Sequence, residues 1–376
     1  VMKAIINAHV VLLDQIIENG YILFDDERIV KTGSMDEFSL SEVRETIDAA
    51  GCYAGPGFID IHCHAGGDYW AYENPESVAL HHLKGGATSM LLTLYHDIGV
   101  DGAKKGAEKI KDAMQRNSPG NIAGIHFEGP FLSNKYGAHK QSARLPDPEE
   151  YTYYLEHFGD IIKHWTFSPE LPDTDAFLEA VKAHDIPLAI GHSEASPERV
   201  IEVYQKGVRL CTHITNASGC SITPTRYGGT LEVTFDHAAM LCDNMFCEII
   251  NDSEGAHVRP LMSQLIVKTV GIDRVVGVTD ACTGDPGESD VNIINGGLYG
   301  SKLRMINVAR NFKNNTKLSV IDIFKVCSTN PARAIQLSGV GDLNAGSRSN
   351  MVVVTPDFDL KTVVLNGRTV LPEGEA

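Results

Sequence analysis

The sequence predicts an α/β protein: a (β/α)8 TIM-like barrel carrying a small β-sandwich domain formed by both chain termini. Three observations predict it. Eight short apolar runs bounded by turn residues, at 58–64, 88–94, 122–128, 163–168, 187–192, 209–213, 245–250 and 274–280, have the near-continuous hydrophobicity of buried parallel strands. Helical patterns fall between most of them, and strands alternating with helices imply a parallel sheet that eight members close into a barrel. The two ends of the chain read as antiparallel β instead, and 376 residues suit one barrel of roughly 250 residues plus a smaller accessory domain.

The elements follow in order. KAIINAHVVL and GYILFDDERIV alternate apolar runs with polar turns, DDER being the hairpin turn, and TIDAAGCYAGPG leads into the barrel. MVVVTPDFDLKTVVLNGRTV near the other end has the same texture. Residues 1–54 and 341–376 are therefore expected to pair as the small domain around a barrel at 55–340. PESVALHHLKGG, DGAKKGAEKIKDAMQRN, DTDAFLEAVKAHD and SPERVIEVYQKG carry the helical period between strands. SVIDIFKVCSTNPARAIQL is the last helix, returning the chain to the sandwich. No tandem repeat or low-complexity linker interrupts this order.

Composition narrows the partners. Acidic residues outnumber basic ones, 49 − 32 = 17, so the net charge is −17. A surface that negative disfavours nucleic acid and anionic membranes, and an anionic substrate needs local positive groups to offset it. No apolar stretch approaches the roughly 20 residues that span a bilayer, and no signal peptide precedes the first strand, so a cytoplasmic protein is expected. The eight cysteines are scattered without a CxxC pair and read as reduced core residues.

Chemistry concentrates at the strand ends. FIDIHCH, IAGIHFE, PLAIGH, RLCTHI and RVVGVTD carry His62 and His64, Glu128, His192, His213 and Asp280 at their ends. Residues two apart in a strand share a side, so His62 and His64 face inward and Cys63 outward. A single histidine at a strand end is ordinarily a hydrogen-bonded core residue. Four histidines and two carboxylates meeting at the carboxyl mouth of one barrel point to a hydrolytic metal site. Imidazole and carboxylate ligands suit zinc, iron or another first-row divalent ion. Asp280 could be a ligand or a cap for the turn that follows. The favoured reading is a base that takes the proton of water and returns it to a leaving amine. His139, or a histidine not bound to metal, is a candidate to stabilise the oxyanion.

With these motifs in view, the chain resembles the amidohydrolase superfamily and, within it, the N-acetylglucosamine-6-phosphate deacetylase family. The resemblance runs nearly end to end through PGFIDIHCHAGG, GIHFEGPFLSNKYGAHK, IGHSEAS, CTHITNAS, GAHV, VTDA, NPARAIQL and MVVVTPDFDLKTVVLNGR. It implies that Glu128, His192 and His213 bind the principal metal and that Asp280 is the acid/base. Some members keep the His-x-His pair and can hold a second ion. This chain keeps it at His62 and His64, so the cofactor is one or two divalent ions, zinc or iron. The resemblance also implies substrate contacts at Ala138, His139, Asn216, Ala217, Arg226 and His257, and at Leu298, Tyr299 and Gly300 of the LYGS motif. Arg226 and His257 would meet the phosphate, to which arginine offers a planar fork of donors. In the family this arginine can come from a neighbouring subunit, which implies a functional homodimer.

Three loops depart from the family pattern. THITNAS lacks the usual aromatic before Asn and methionine after Ala, NDSEGAHV carries extra residues, and the stretch from Asp280 to LYGS is short. The implied reaction is deacetylation of N-acetylglucosamine 6-phosphate, a phosphorylated N-acetyl amino sugar. The alternatives are N-acetylgalactosamine 6-phosphate, another N-acyl compound, or a non-catalytic scaffold.

Overall fold

The computed structural model describes residues 1–138, 141–219, 229–284 and 287–370. Eight parallel strands follow one another around a single sheet: Phe58–Asp60, Ala87–Tyr95, Ile122–Glu128, Ile162–Phe167, Leu188–Ile190, Leu210–Cys211, Phe246–Ile250 and Val275–Val278. All eight expected strands are present and in the expected order. Runs such as Val275, Val276 and Val278 are buried on both faces, as strands between a filled interior and a coat of helices must be.

The seam between the first and eighth strands closes just beyond their ends. Cys63 and Ala281 form a parallel bridge. The Asp280 amide donates to the His62 carbonyl at 2.9 Å, and the Thr279 hydroxyl donates to Asp60 Oδ2 at 2.6 Å. Burial pushes the Asp60 carboxyl up to about 6 despite its bonds from Thr279 and the His62 amide.

Three helices on the barrel's outside start on the same punctuation, Asn-Pro-Glu, Asp-Pro-Glu or Ser-Pro-Glu. They are Pro75–Leu83, Pro148–Phe158 and Pro197–Gln205. Asn74, Asp147 and Ser196 each accept an amide of the first turn. Proline sits where no amide partner exists, and glutamate meets the positive end of the helix dipole. Helices at Gly99–Arg116, Thr174–Lys182, Phe235–Leu241, Pro260–Val270 and Met305–Asn315 add to the coat. Among the described residues no helix is long and apolar enough to cross a membrane.

Both termini enter one eight-stranded sheet. Tyr53–Pro56 pairs in parallel with Lys3–Val11 and antiparallel with Met351–Val354, so it joins the two ends of the chain. The expected DDER hairpin is there: Asp25 Oδ1 accepts the amides of Glu27 and Arg28 at 2.8 and 2.7 Å. Ile5, Val10, Ile22, Phe24, Met351 and Val364 form a core of their own. Residues 371–376 of the expected small domain lie outside the described residues.

A hairpin that the sequence reading did not single out, Val291–Ile294 with Gly297–Ser301, follows the eighth strand. Its loop residues Asn295 and Gly296 both have positive φ, 51° and 79°, as a tight hairpin turn requires.

The seam supplies a stability test. Thr279→Val keeps shape but removes the Asp60 hydroxyl partner, and should cost about 1–3 kcal/mol in denaturant unfolding. An unchanged unfolding midpoint would show that the hydroxyl does not hold the seam.

Candidate metal centre

The ligand types predicted from five strand ends meet at one point. Glu128 is the last residue of the third strand, and its Oε1 lies 2.9 Å from both His192 Nε2 and His213 Nε2. Those two nitrogens are 3.0 Å apart. On the other side, Glu128 Oε2 is 3.1 Å from His64 Nε2, and Oε1 is 3.5 Å from His62 Nε2. His62 and His64 bring their Nε2 atoms to 3.2 Å. Asp280 Oδ1 stands 3.1 Å from His64 Nε2 and 3.5 Å from His62 Nε2.

This donor set fits a metal. Four imidazole nitrogens converge on the oxygens of two carboxylates, the nitrogen and oxygen donors that first-row divalent ions take. Two triads have all their ligand atoms within 4.8 Å of one another: Glu128–His192–His213 and His62–His64–Glu128. The carboxylates are in the form a cation needs. Burial opposes their charge, but His62 and His192 hold Glu128 well below the usual range, and His62 and His64 lower Asp280.

A third triad, Asp60–Cys63–His82, is equally compact but chemically spent. His82 Nε2 donates to the Ala65 carbonyl at 2.8 Å, and Asp60 takes the Thr279 hydroxyl. Burial pushes His82 down to about 3 and the Cys63 thiol well up, so both stay neutral.

The backbone at the mouth is strained where the chemistry sits. His192, His213 and Asp280 have φ of 49°, 26° and 45°, and each lies two residues past the end of its strand. Left-handed backbone at non-glycine residues costs of order 1–3 kcal/mol and persists only where surroundings enforce it. Gly137, with φ +94°, lets its loop close over His192, since a Cβ there would lie 2.5 Å from Nδ1. The backbone carbonyl of Tyr136 in that loop accepts from His192 Nδ1 at 3.4 Å, which turns Nε2 toward Glu128. Gly300 approaches Asp280 as closely, a Cβ there meeting its carbonyl oxygen at 2.5 Å.

A cavity of about 350 Å³ opens above these groups. Ala138, Asn216, Ala217, His257, Leu298, Tyr299 and Gly300, the residues that the resemblance assigns to substrate, line it. His62 lies beneath the floor, fully buried. His139 and Arg226 lie outside the described residues. His257 is held by Asp252, whose Oδ2 accepts its Nδ1–H at 3.0 Å and its backbone amide at 2.8 Å. Its buried Nε2 has no partner among the described residues. Asn216 Nδ2 donates to the His257 carbonyl at 3.0 Å, and Asp236 ties down the same loop through the Thr215 amide and the Ser218 hydroxyl.

The sequence reading missed Trp70, Tyr95, Ile250 and Cys282, which also line the cavity. Trp70 lies 5.4 Å from Tyr95 and 6.2 Å from Tyr299 between ring centres, forming an aromatic wall. Tyr95 and Ile250 end the second and seventh strands, so the strand-end rule could have found them.

The pattern of the Amidohydrolase family matches residues 53–370. An N-acetylglucosamine-6-phosphate deacetylase of Haemophilus influenzae is 27% identical over 95% of this chain and 98% of its own length. An N-acetylgalactosamine-6-phosphate deacetylase of Shewanella sp. is also 27% identical, over 85% of this chain and 84% of that protein. The crystal structure of N-acetylglucosamine-6-phosphate deacetylase from Pasteurella multocida superimposes with a TM-score of 0.87 at 23% identity, over 99% of this chain and 100% of that one. This last likeness is one of fold.

Glu128 belongs to both triads, so its removal is the sharpest test of the centre. Glu128→Ala should lose its tightly bound divalent ion, measured by elemental analysis of the purified protein. Full metal content in a folded variant would remove Glu128 from the ligands.

Proposed function

The chain belongs to the amidohydrolase family, and from that membership we propose that it hydrolyses N-acetylglucosamine 6-phosphate to glucosamine 6-phosphate and acetate. The observation that supports this most is Asp280 Oδ1, placed 3.1 Å from His64 Nε2 beside the Glu128 triad and on the cavity wall. The full-length relatives that hydrolyse N-acetyl amino sugar phosphates support the substrate class.

In this reading Glu128, His192 and His213 hold the principal divalent ion, zinc or iron, and His62 and His64 with Glu128 provide for a second. Such an ion polarises an amide carbonyl and brings the pKa of water toward about 7. Asp280 accepts the proton of the attacking water. The carbonyl carbon becomes tetrahedral, Asp280 returns the proton to the amide nitrogen, and the C–N bond breaks to give acetate and the free amine. His139 assists at the oxyanion. Trp70, Tyr95 and Tyr299 keep bulk water from the acyl side.

The phosphate requires local donors, because the molecule carries a net charge of −17. The Nε2 of His257 and the guanidinium of Arg226 are the proposed pair, with Ala138, Asn216, Ala217, Leu298 and Gly300 around the sugar. The reading includes a cytoplasmic homodimer, with residues 1–54 and 341–376 as the small domain and 55–340 as the catalytic one. A second reading, N-acetylgalactosamine 6-phosphate or another N-acyl substrate, has support from the equal identity of the Shewanella relative.

Acetate release from both hexosamine epimers, with and without the 6-phosphate, tests reaction and specificity together. The phosphorylated glucosamine derivative should be preferred. Arg226→Ala should raise KM for it by roughly 10- to 150-fold, the equivalent of one charge-assisted contact, with little effect on the unphosphorylated sugar. Equal rates on both forms in the parent would eliminate the phosphate site.

Asp280→Asn separates binding from chemistry. Turnover should fall by a factor on the order of 10² or more while substrate still binds. Near-normal turnover would place the acid/base elsewhere.

A further inference from the structure

Glu248 lies in the barrel interior, two residues before the end of the seventh strand, with no exposed surface. An ionisable group so buried is costly unless its partners hold it. Its Oε2 is 3.1 Å from His62 Nδ1 and 3.2 Å from the backbone amide of His213. One carboxylate oxygen thus reaches a residue of each ligand triad. The other nitrogen of His62, Nε2, faces Glu128, His64 and Asp280.

We propose that Glu248 is the positioning residue for a second metal ion: by accepting Nδ1–H from His62 it fixes the tautomer and ring orientation in which Nε2 ligates. The inference rests on the metal-centre reading and deepens it. A histidine free to exchange tautomers presents its lone pair to the mouth only part of the time, and a carboxylate on the far nitrogen ends that exchange and makes Nε2 a better donor. The packing beneath keeps Glu248 in place. Its Oε1 lies 3.6 Å from His164 Nε2, and His164 stacks on His126 at 4.0 Å. His126 is itself pinned between the hydroxyls of Thr93 and Thr166, at 3.1 and 2.9 Å. The carboxylate therefore has a wall of stacked rings below and one imidazole to serve above.

The test is zinc uptake by metal-stripped protein, read by competition with a chromophoric chelator at fixed pH, with His64→Ala marking which equivalent belongs to the His62–His64 triad. The parent should take up two ions. Glu248→Gln should weaken that second equivalent by roughly 10-fold and Glu248→Ala by roughly 100-fold, with a smaller loss at the first. A packing role alone would lower the melting temperature of the metal-free variants and leave the second equivalent no weaker relative to the first. Parent-like affinity for both ions in Glu248→Gln overturns the proposal, whether or not Glu248→Ala folds. A parent that takes up one ion overturns it too and leaves the principal centre standing, whereas a parent that takes up none removes both.

Discussion

The site depends on one buried carboxylate. Glu128 touches His192 and His213 through one oxygen and His64 through the other, with His62 just beyond. A buried anion survives only among groups that compensate it, so the four imidazoles and Glu128 require each other. That ties the third strand to a single register, because a slip of one residue would turn Glu128 away from the interior. Aromatic packing enforces the register from behind. Phe127 stacks on Trp165 at 4.8 Å between centres, and Trp165 donates its Nε1–H to the Gly129 carbonyl at 2.9 Å.

The strained residues at the mouth are held by their neighbours' hydrogen bonds. The His192 carbonyl takes the Ser168 hydroxyl at 2.8 Å. The His213 amide donates to Glu248, and the Asp280 carbonyl accepts the Ser301 amide at 2.9 Å. Each left-handed residue is thus fixed from a different element, so the barrel as a whole bears the strain of these three corners. The seam contributes in the same way, since Asp60 and Thr279 close it beside His62 and Asp280.

Floor and rim answer to different constraints. On the floor, charge and desolvation leave few arrangements open, which suits a reaction that needs a fixed ligand set. Around the rim, the 213–218 loop, the segment leading to His257 and the hairpin ending at Ser301 are braced by Asp236, Asp252 and short turns, and they carry groups that line the cavity. Loops on a rigid scaffold tolerate change, and these are the segments in which the sequence departs from its family.

The chain's own pattern determined the barrel, because buried parallel strands must be apolar on both faces and helices need caps, and both requirements are written locally. It also marked the candidate metal ligands, since polar residues ending the apolar strands of one barrel gather at its mouth. Tyr95 was passed over because the expected strand stopped at residue 94, one short of its observed end. Glu248 and Trp70 were decided only by the tertiary structure. Glu248 and His62 are 186 residues apart, and a glutamate inside a strand declares no role until closure brings an imidazole to it. Sequence specifies which residues are buried or turned; which buried groups meet depends on the register and curvature of all eight strands together.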